Sequence, residues 1–467
     1  MQPLRKNIAL IGMALAVLTL ACLAYSLPDY FASQTYMGGL LLVEVLIAVV
    51  WMYRRVFFPA LVLSFLWAGI SLPGGGGIFS VVRWLFLGTG AAIGLLIVLR
   101  ERSLHFAPIH LIALVSIGAS FVSITVSRYP QFTLLKVLSV LLLFVYAMTG
   151  ARIAVVGRQD RFGNGLLKGF EIFVGAIALL HAFGIRAMGN PNSLGAAMCL
   201  AAPILLWGML LGGNPIVRGR RLILYLACMF LLFVSQARAG ILAALISCIL
   251  MCWALRKYKL VGQGVIVFVI VVATIGILRP KVVPSYVNSV VFKQSSGELL
   301  ASRLSPWQAA IDRISANPWF GTGFGTTDAE GAEVGTRNVA SSATMTAENG
   351  SSYLSILAGV GVLGSLPWLL LLSVVMHKIV KTVLWMRRYG SAFHPAVPIA
   401  MLLVAGSVHA AFEDWMFAPG YYLCVFFWCM TFILVDMVSG DSSSRQAAPS
   451  SQEFYLQSFA SPQAPHS

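Results

Sequence analysis

Apolar runs long enough to cross a bilayer recur from residue 7 to residue 438, and this repetition leaves few folds open. Hydrocarbon offers no water to backbone polar groups, so a chain crosses it as helices or as a closed barrel, and runs of about 20 apolar residues read as helices. About fourteen such runs are present, at 7–26, 36–53, 56–73, 81–99, 105–127, 132–151, 166–185, 194–212, 221–237, 240–255, 260–278, 351–374, 396–412 and 420–438. The expected fold is therefore all-α, a polytopic transmembrane helical bundle. Charged residues are 10% of the sequence, against about a quarter in soluble domains, which excludes a soluble globular chain.

The net charge of +16 suggests a polyanion partner until the basic residues are placed. Roughly two thirds of the Lys and Arg fall in alternate connections, among them Arg54, Arg55, Arg100, Arg102, Arg218, Arg220, Arg221, Arg387 and Arg388. That is the positive-inside pattern of a membrane protein, so no nucleic-acid partner is expected and both termini are placed in the cytoplasm. Arg5 and Lys6 precede an apolar run without a small-residue cleavage site, so it reads as a first span rather than a removed signal. All seven cysteines lie in apolar runs, which implies no disulfide framework.

One polar segment interrupts the pattern. Residues 1–278 carry spans one to eleven, 279–350 form a large extracytoplasmic loop, 351–438 carry three more spans, and 439–467 read as a Ser- and Pro-rich disordered tail. In the loop, Leu299, Leu300, Leu304, Trp307, Ala310, Ile311 and Ile314 recur at helical spacing, with Ser305 and Pro306 as cap and first helical position. This predicts two short amphipathic helices meeting at Ser305, the second ended by Pro318, with Trp307 and Trp319 at headgroup depth. The GTGFGTT that follows is a Gly-rich turn without the strand or Lys of a nucleotide phosphate loop.

Three further segments reach the loop's side of the membrane. Arg186 to Ser193 (RAMGNPNS) presents two amides, Asn190 and Asn192, which suit a tight turn with a helix cap as well as they suit contacts to a substrate. Ser235 to Gly240 (SQARAG) pins Arg238 at a face where positive charge is normally avoided, and such an arginine suits a phosphate or pyrophosphate clamp. Ala347 to Gly364 sets Glu348 at a helix start with Asn349, Ser352 and Tyr353. Glu348 is either a carboxylate favoured by the helix dipole or a partly desolvated proton acceptor. His409 and Glu413, four apart, are expected on one helix face, where a metal site is a weaker option.

GNPNSLGAAMCLAAP (189–203), SQARAGILAAL (235–245), SRLSPWQAAIDRISANPWFGTGFG (302–325) and ENGSSYLSILAGVGVLG (348–364) together resemble the bacterial O-antigen ligase and O-antigen polymerase superfamily of membrane glycosyltransferases. The resemblance covers roughly residues 185–375, and Arg303 to Gly325 is its most specific part. It implies a polyprenyl-diphosphate-linked glycan donor used at the periplasmic face of the bacterial inner membrane, a glycan or lipid-linked acceptor, polysaccharide-assembly partners, no cofactor and no metal. By similarity Arg238 and Arg303 hold the diphosphate. Glu348 stands where ligases commonly have histidine, which leaves a polymerase or exopolysaccharide enzyme as open as a strict ligase. The expected catalytic residues are Glu348, Arg238 and Arg303, with Arg186, Asn190, Asn192, Trp307, Asn349, Tyr353 and His409 contacting substrate. The rival reading is a transporter or flippase of lipid-linked glycans, which would centre its charges at mid-membrane.

Overall fold

Proline and asparagine set where the helices begin. Pro108, Pro130, Pro191 and Pro215 each stand at a first helical position, where the missing N–H costs nothing. The Asn190 and Asn214 side chains accept from the N–H groups of Asn192 and Ile216 at 2.9 and 3.0 Å. In the computed structural model, which describes residue 47 and residues 54–68, 76–101, 106–188, 190–212, 214–278, 301–326 and 350–439, these signals delimit an all-helical bundle with no strand among the described residues.

The helices in chain order are α1 (Arg54–Ala68), α2 (Gly76–Glu101), α3 (Pro108–Val122), α4 (Pro130–Met148), the single turn α5 (Gly150–Ile153), α6 (Gln159–Ala182) and α7 (Pro191–Leu210). They continue with α8 (Pro215–Val234), α9 (Arg238–Ala254), α10 (Tyr258–Leu278), α11 (Ala301–Ala316), α12 (Ser352–Tyr389), α13 (Ala396–Ala410) and α14 (Tyr422–Ser439). Among the described residues six helices are long and apolar enough to cross a membrane, and α3, α9, α13 and α14 are apolar but shorter. The runs expected at 7–26 and 36–53, most of the loop and the tail beyond 439 fall wholly or almost wholly outside the described residues.

Two kinds of apolar helix separate by position. α7 and α13 are apolar on every side and buried nearly throughout, so they form the centre with α9 and α14 around them. α10 is equally apolar, yet none of its residues is buried. An all-round apolar helix at the periphery is stable when lipid covers it. The centre is close-packed: a Cβ on Gly195 would lie 2.2 Å from Ala237 Cβ, and one on Gly240 would lie 2.9 Å from the Gly195 carbonyl oxygen. Small residues thus let α7 and α9 cross at backbone distance. Phe144, Trp368, Trp428 and Phe432 fill the space beside them as edge-on and tilted ring pairs.

Two expectations about the loop and its re-entry change. α11 is one helix that runs through Pro306, rather than two meeting at Ser305. A proline inside a helix removes one backbone donor, and next to it Trp307 Nε1 donates to Gly350 O. The run expected at 351–374 belongs to a longer helix that breaks at Gly361, whose φ of 70° and ψ of −177° are open to glycine alone. The Gly-rich segment after α11 fills that break. Thr322 and Gly323 donate their N–H groups to the carbonyls of Ala358 and Gly359, while Val362 and Leu363 donate to Pro318 and Trp319. Phe324 then stacks on Trp368 and its N–H meets Ser123 Oγ at 3.0 Å.

Candidate functional site

The turn between α8 and α9 is three residues long, and each is fixed. Ser235 Oγ donates to Leu232 O at 2.7 Å and accepts from the Ala237 N–H, while Gln236 takes a left-handed φ of 53°. A non-glycine residue there is uncommon and is held by its surroundings. The result sets Arg238 as the first residue of α9, half-buried. Cationic side chains are disfavoured at the positive end of a helix dipole, so this position is shaped for an anion more than for the arginine itself.

Arg303 projects from α11 into the same region. Its Nη2 donates to Glu413 Oε1, and the two side chains remain 21% and 22% exposed. Arg238 and Arg303 are near enough to act on each other as like charges. Two guanidinium groups and a carboxylate therefore share one end of the bundle, open to solvent.

A buried hydroxyl places the carboxylate. Ser352 is fully buried; its Oγ donates to Glu413 O at 2.8 Å and accepts from the N–H groups of Trp415 and Met416 at 3.1 and 3.0 Å. Those three contacts clamp the chain that follows α13. Tyr353 OH donates to Ser407 O at 2.9 Å, which ties α12 to α13, and Trp307 Nε1 donates to Gly350 O at 3.1 Å, which ties α11 to the start of α12. The Asn-Pro-Asn segment joins through Ser193, which receives the hydroxyls of Tyr421 and Tyr422. Arg83, buried in α2, donates to Gly420 O at 2.7 Å and closes the far side.

Of the expected residues, Arg238, Arg303, Trp307 and Tyr353 come together. Asn190 and Asn192 form the cap of α7 beside Ser193. Arg186 is exposed on the connection leading to that cap. His409 lies a layer deeper, 2% exposed, with its Nδ1 accepting from Trp415 Nε1 at 2.8 Å. Glu348 and Asn349 are outside the described residues. His409 and Glu413 do not share a helix face as expected, because α13 ends at Ala410 and the chain turns before Glu413. Among the described residues no group of three or more His, Cys, Asp or Glu is placed to hold a metal ion.

Sequence reasoning missed Glu413 as the partner of Arg303, and it missed Ser352 as the residue that sets Glu413. The one available signal was an acidic residue at a span end on the loop's side, and its partner is 110 positions away.

A family model described as O-antigen ligase matches residues 222–369, a stretch that includes Arg238, Arg303 and Ser352. This match supports the O-antigen ligase and polymerase superfamily for the chain. No curated protein matches it.

Proposed function

From the O-antigen ligase match as premise, we propose that the chain is a membrane glycosyltransferase that moves or polymerises a glycan from a polyprenyl-diphosphate donor at the periplasmic face of the bacterial inner membrane. The observation that carries this reading is the gathering of Arg238 and Arg303 at one solvent-open end of an apolar bundle. The lipid tail lies between helices and the diphosphate meets the two guanidinium groups. Arginine offers planar, paired donors that match phosphate oxygens.

In the reaction the acceptor hydroxyl attacks the anomeric carbon of the donor sugar. The bond from that carbon to the phosphate oxygen breaks, and its electron pair leaves with the polyprenyl diphosphate. Arg238 and Arg303 stabilise the negative charge that develops there, as fixed donors in a site of lowered dielectric. The hydroxyl proton passes to a base, and Glu348 is assigned that role. Asn190, Asn192, Trp307 and Tyr353 are assigned to contact the sugars, as is Asn349 from the sequence; the buried His409 supports Trp415 instead.

The test is reconstitution of the purified protein in liposomes with a defined polyprenyl-diphosphate glycan, following growth or transfer of the glycan. Polymer or adduct formation is expected, and failure to consume the donor while it crosses the bilayer would favour a flippase. In the same assay Glu348→Gln is expected to lower turnover by about 10²-fold or more, the usual worth of general base catalysis, with donor affinity kept.

A further inference from the structure

Arg303 already has an anionic partner in the site that is read above as receiving a diphosphate. Glu413 accepts from one of its donors, and the contact is partly buried, with each side chain keeping about a fifth of its surface exposed. A contact of that partial exposure can still be reached by a competing anion. Arg238 adds a repulsion that a single carboxylate neutralises only in part. The carboxylate itself is set with care, because the fully buried Ser352 fixes Glu413 O and the two N–H groups beyond it. An accessible contact has been built on a rigid support.

We propose that Glu413 is a place-holding counter-ion which Arg303 exchanges for the donor's phosphate. Resting on the glycosyltransferase reading above, this makes donor capture a swap of one oxyanion for another. Glu413 neutralises and orients Arg303 while the site is empty, and its oxygens occupy the place of phosphate oxygens. When the diphosphate arrives it engages Arg238 and Arg303 together, which one carboxylate cannot do as well. Glu413 then remains on its clamped turn facing the solvent-open side. It competes with the donor, so it sets how tightly the product polyprenyl diphosphate is retained after transfer. A site with two unopposed arginines would hold that leaving group and slow its own turnover.

The experiment measures binding of polyprenyl diphosphate to the detergent-solubilised full chain, with inorganic pyrophosphate as a second probe, together with steady-state transfer. Glu413→Gln keeps size and hydrogen-bonding capacity while removing the charge. It is expected to tighten polyprenyl diphosphate binding about three- to ten-fold, the range of one lost, partly exposed competing charge, and to lower kcat through slower product release. Glu413→Asp is expected to restore weaker binding. Unchanged or weaker binding in Glu413→Gln, beside a loss of binding in Arg303→Ala, overturns the exchange and leaves the diphosphate site standing. Absence of binding in the wild-type protein overturns both.

Discussion

The bundle holds arginine–carboxylate pairs at both ends, and they are built differently. At the end opposite the candidate site, Arg152 grips Asp436 through Nε and Nη2 at 2.6 and 2.7 Å, and its Nη1 donates to Met148 O at 3.1 Å. The Arg152 side chain is 2% exposed and lies against the ring of Phe106, while Asp436 keeps 27% of its surface exposed. Glu171, itself buried, accepts from two arginines at once, the exposed Arg220 and the largely covered Arg221. Arg303 makes one contact to Glu413, with Arg238 repelling it and solvent reaching both partners. Along α14, Tyr422 at the site and Asp436 at the closed pair are separated by about 21 Å of helix rise. A closed pair has no donor left for a ligand and serves the fold. An open pair contributes little to the fold and leaves its cation able to change partners.

The sharpest way to break this contrast is to remove the cations and compare folding with activity. Arg303→Ala or Arg238→Ala is expected to lower glycan transfer by about 10²- to 10³-fold, as for other transition-state donors, with the melting temperature in detergent unchanged. Accumulation of the lipid-linked precursor in cells would report the same loss, and normal polymer in either variant would end the clamp. Arg152→Ala is expected to do the reverse. It leaves a carboxylate without its buried partner and costs about 3–5 kcal/mol of stability, read as a lower unfolding midpoint, with activity per folded molecule retained. A stability loss at Arg303 equal to that at Arg152 would erase the distinction. Ser352→Ala sharpens it at a smaller scale. The change strands Glu413 O and two N–H groups, costs about 1–3 kcal/mol, and also reduces transfer, because the turn that carries Glu413 loosens. Wild-type transfer in that variant would make Ser352 a cap and nothing more.

How far the sequence reached depends on how local each signal was. Helix starts at Pro108, Pro130, Pro191 and Pro215 follow from a single residue's geometry, and so they were readable. Arg238 stood out in the sequence because the expected sidedness made its charge anomalous, and the structure sets it within electrostatic reach of Arg303. The Arg303–Glu413 pair joins residues 110 apart, and no periodicity encodes which acid meets which base. The break in α12 was hidden for a different reason. Gly361 sits among Gly359 and Gly364 in a run whose hydropathy is that of an ordinary span, and glycine permits a left-handed turn without announcing one. Helix α11 continues through Pro306, where the local signal of Ser305 and Pro306 reads as a new helix start.

The junction between the Gly-rich segment and the broken helix has a consequence for how such chains are altered. Four backbone groups that a continuous helix would satisfy internally are satisfied by 318–323, in surroundings lined by the buried Phe324, Val360 and Trp368. Orphaned peptide groups in so apolar a setting are costly. The segment after α11 is thus stitched into the buried interior of the bundle, and grafting a different segment onto these helices succeeds only if the graft brings its own matching backbone seam.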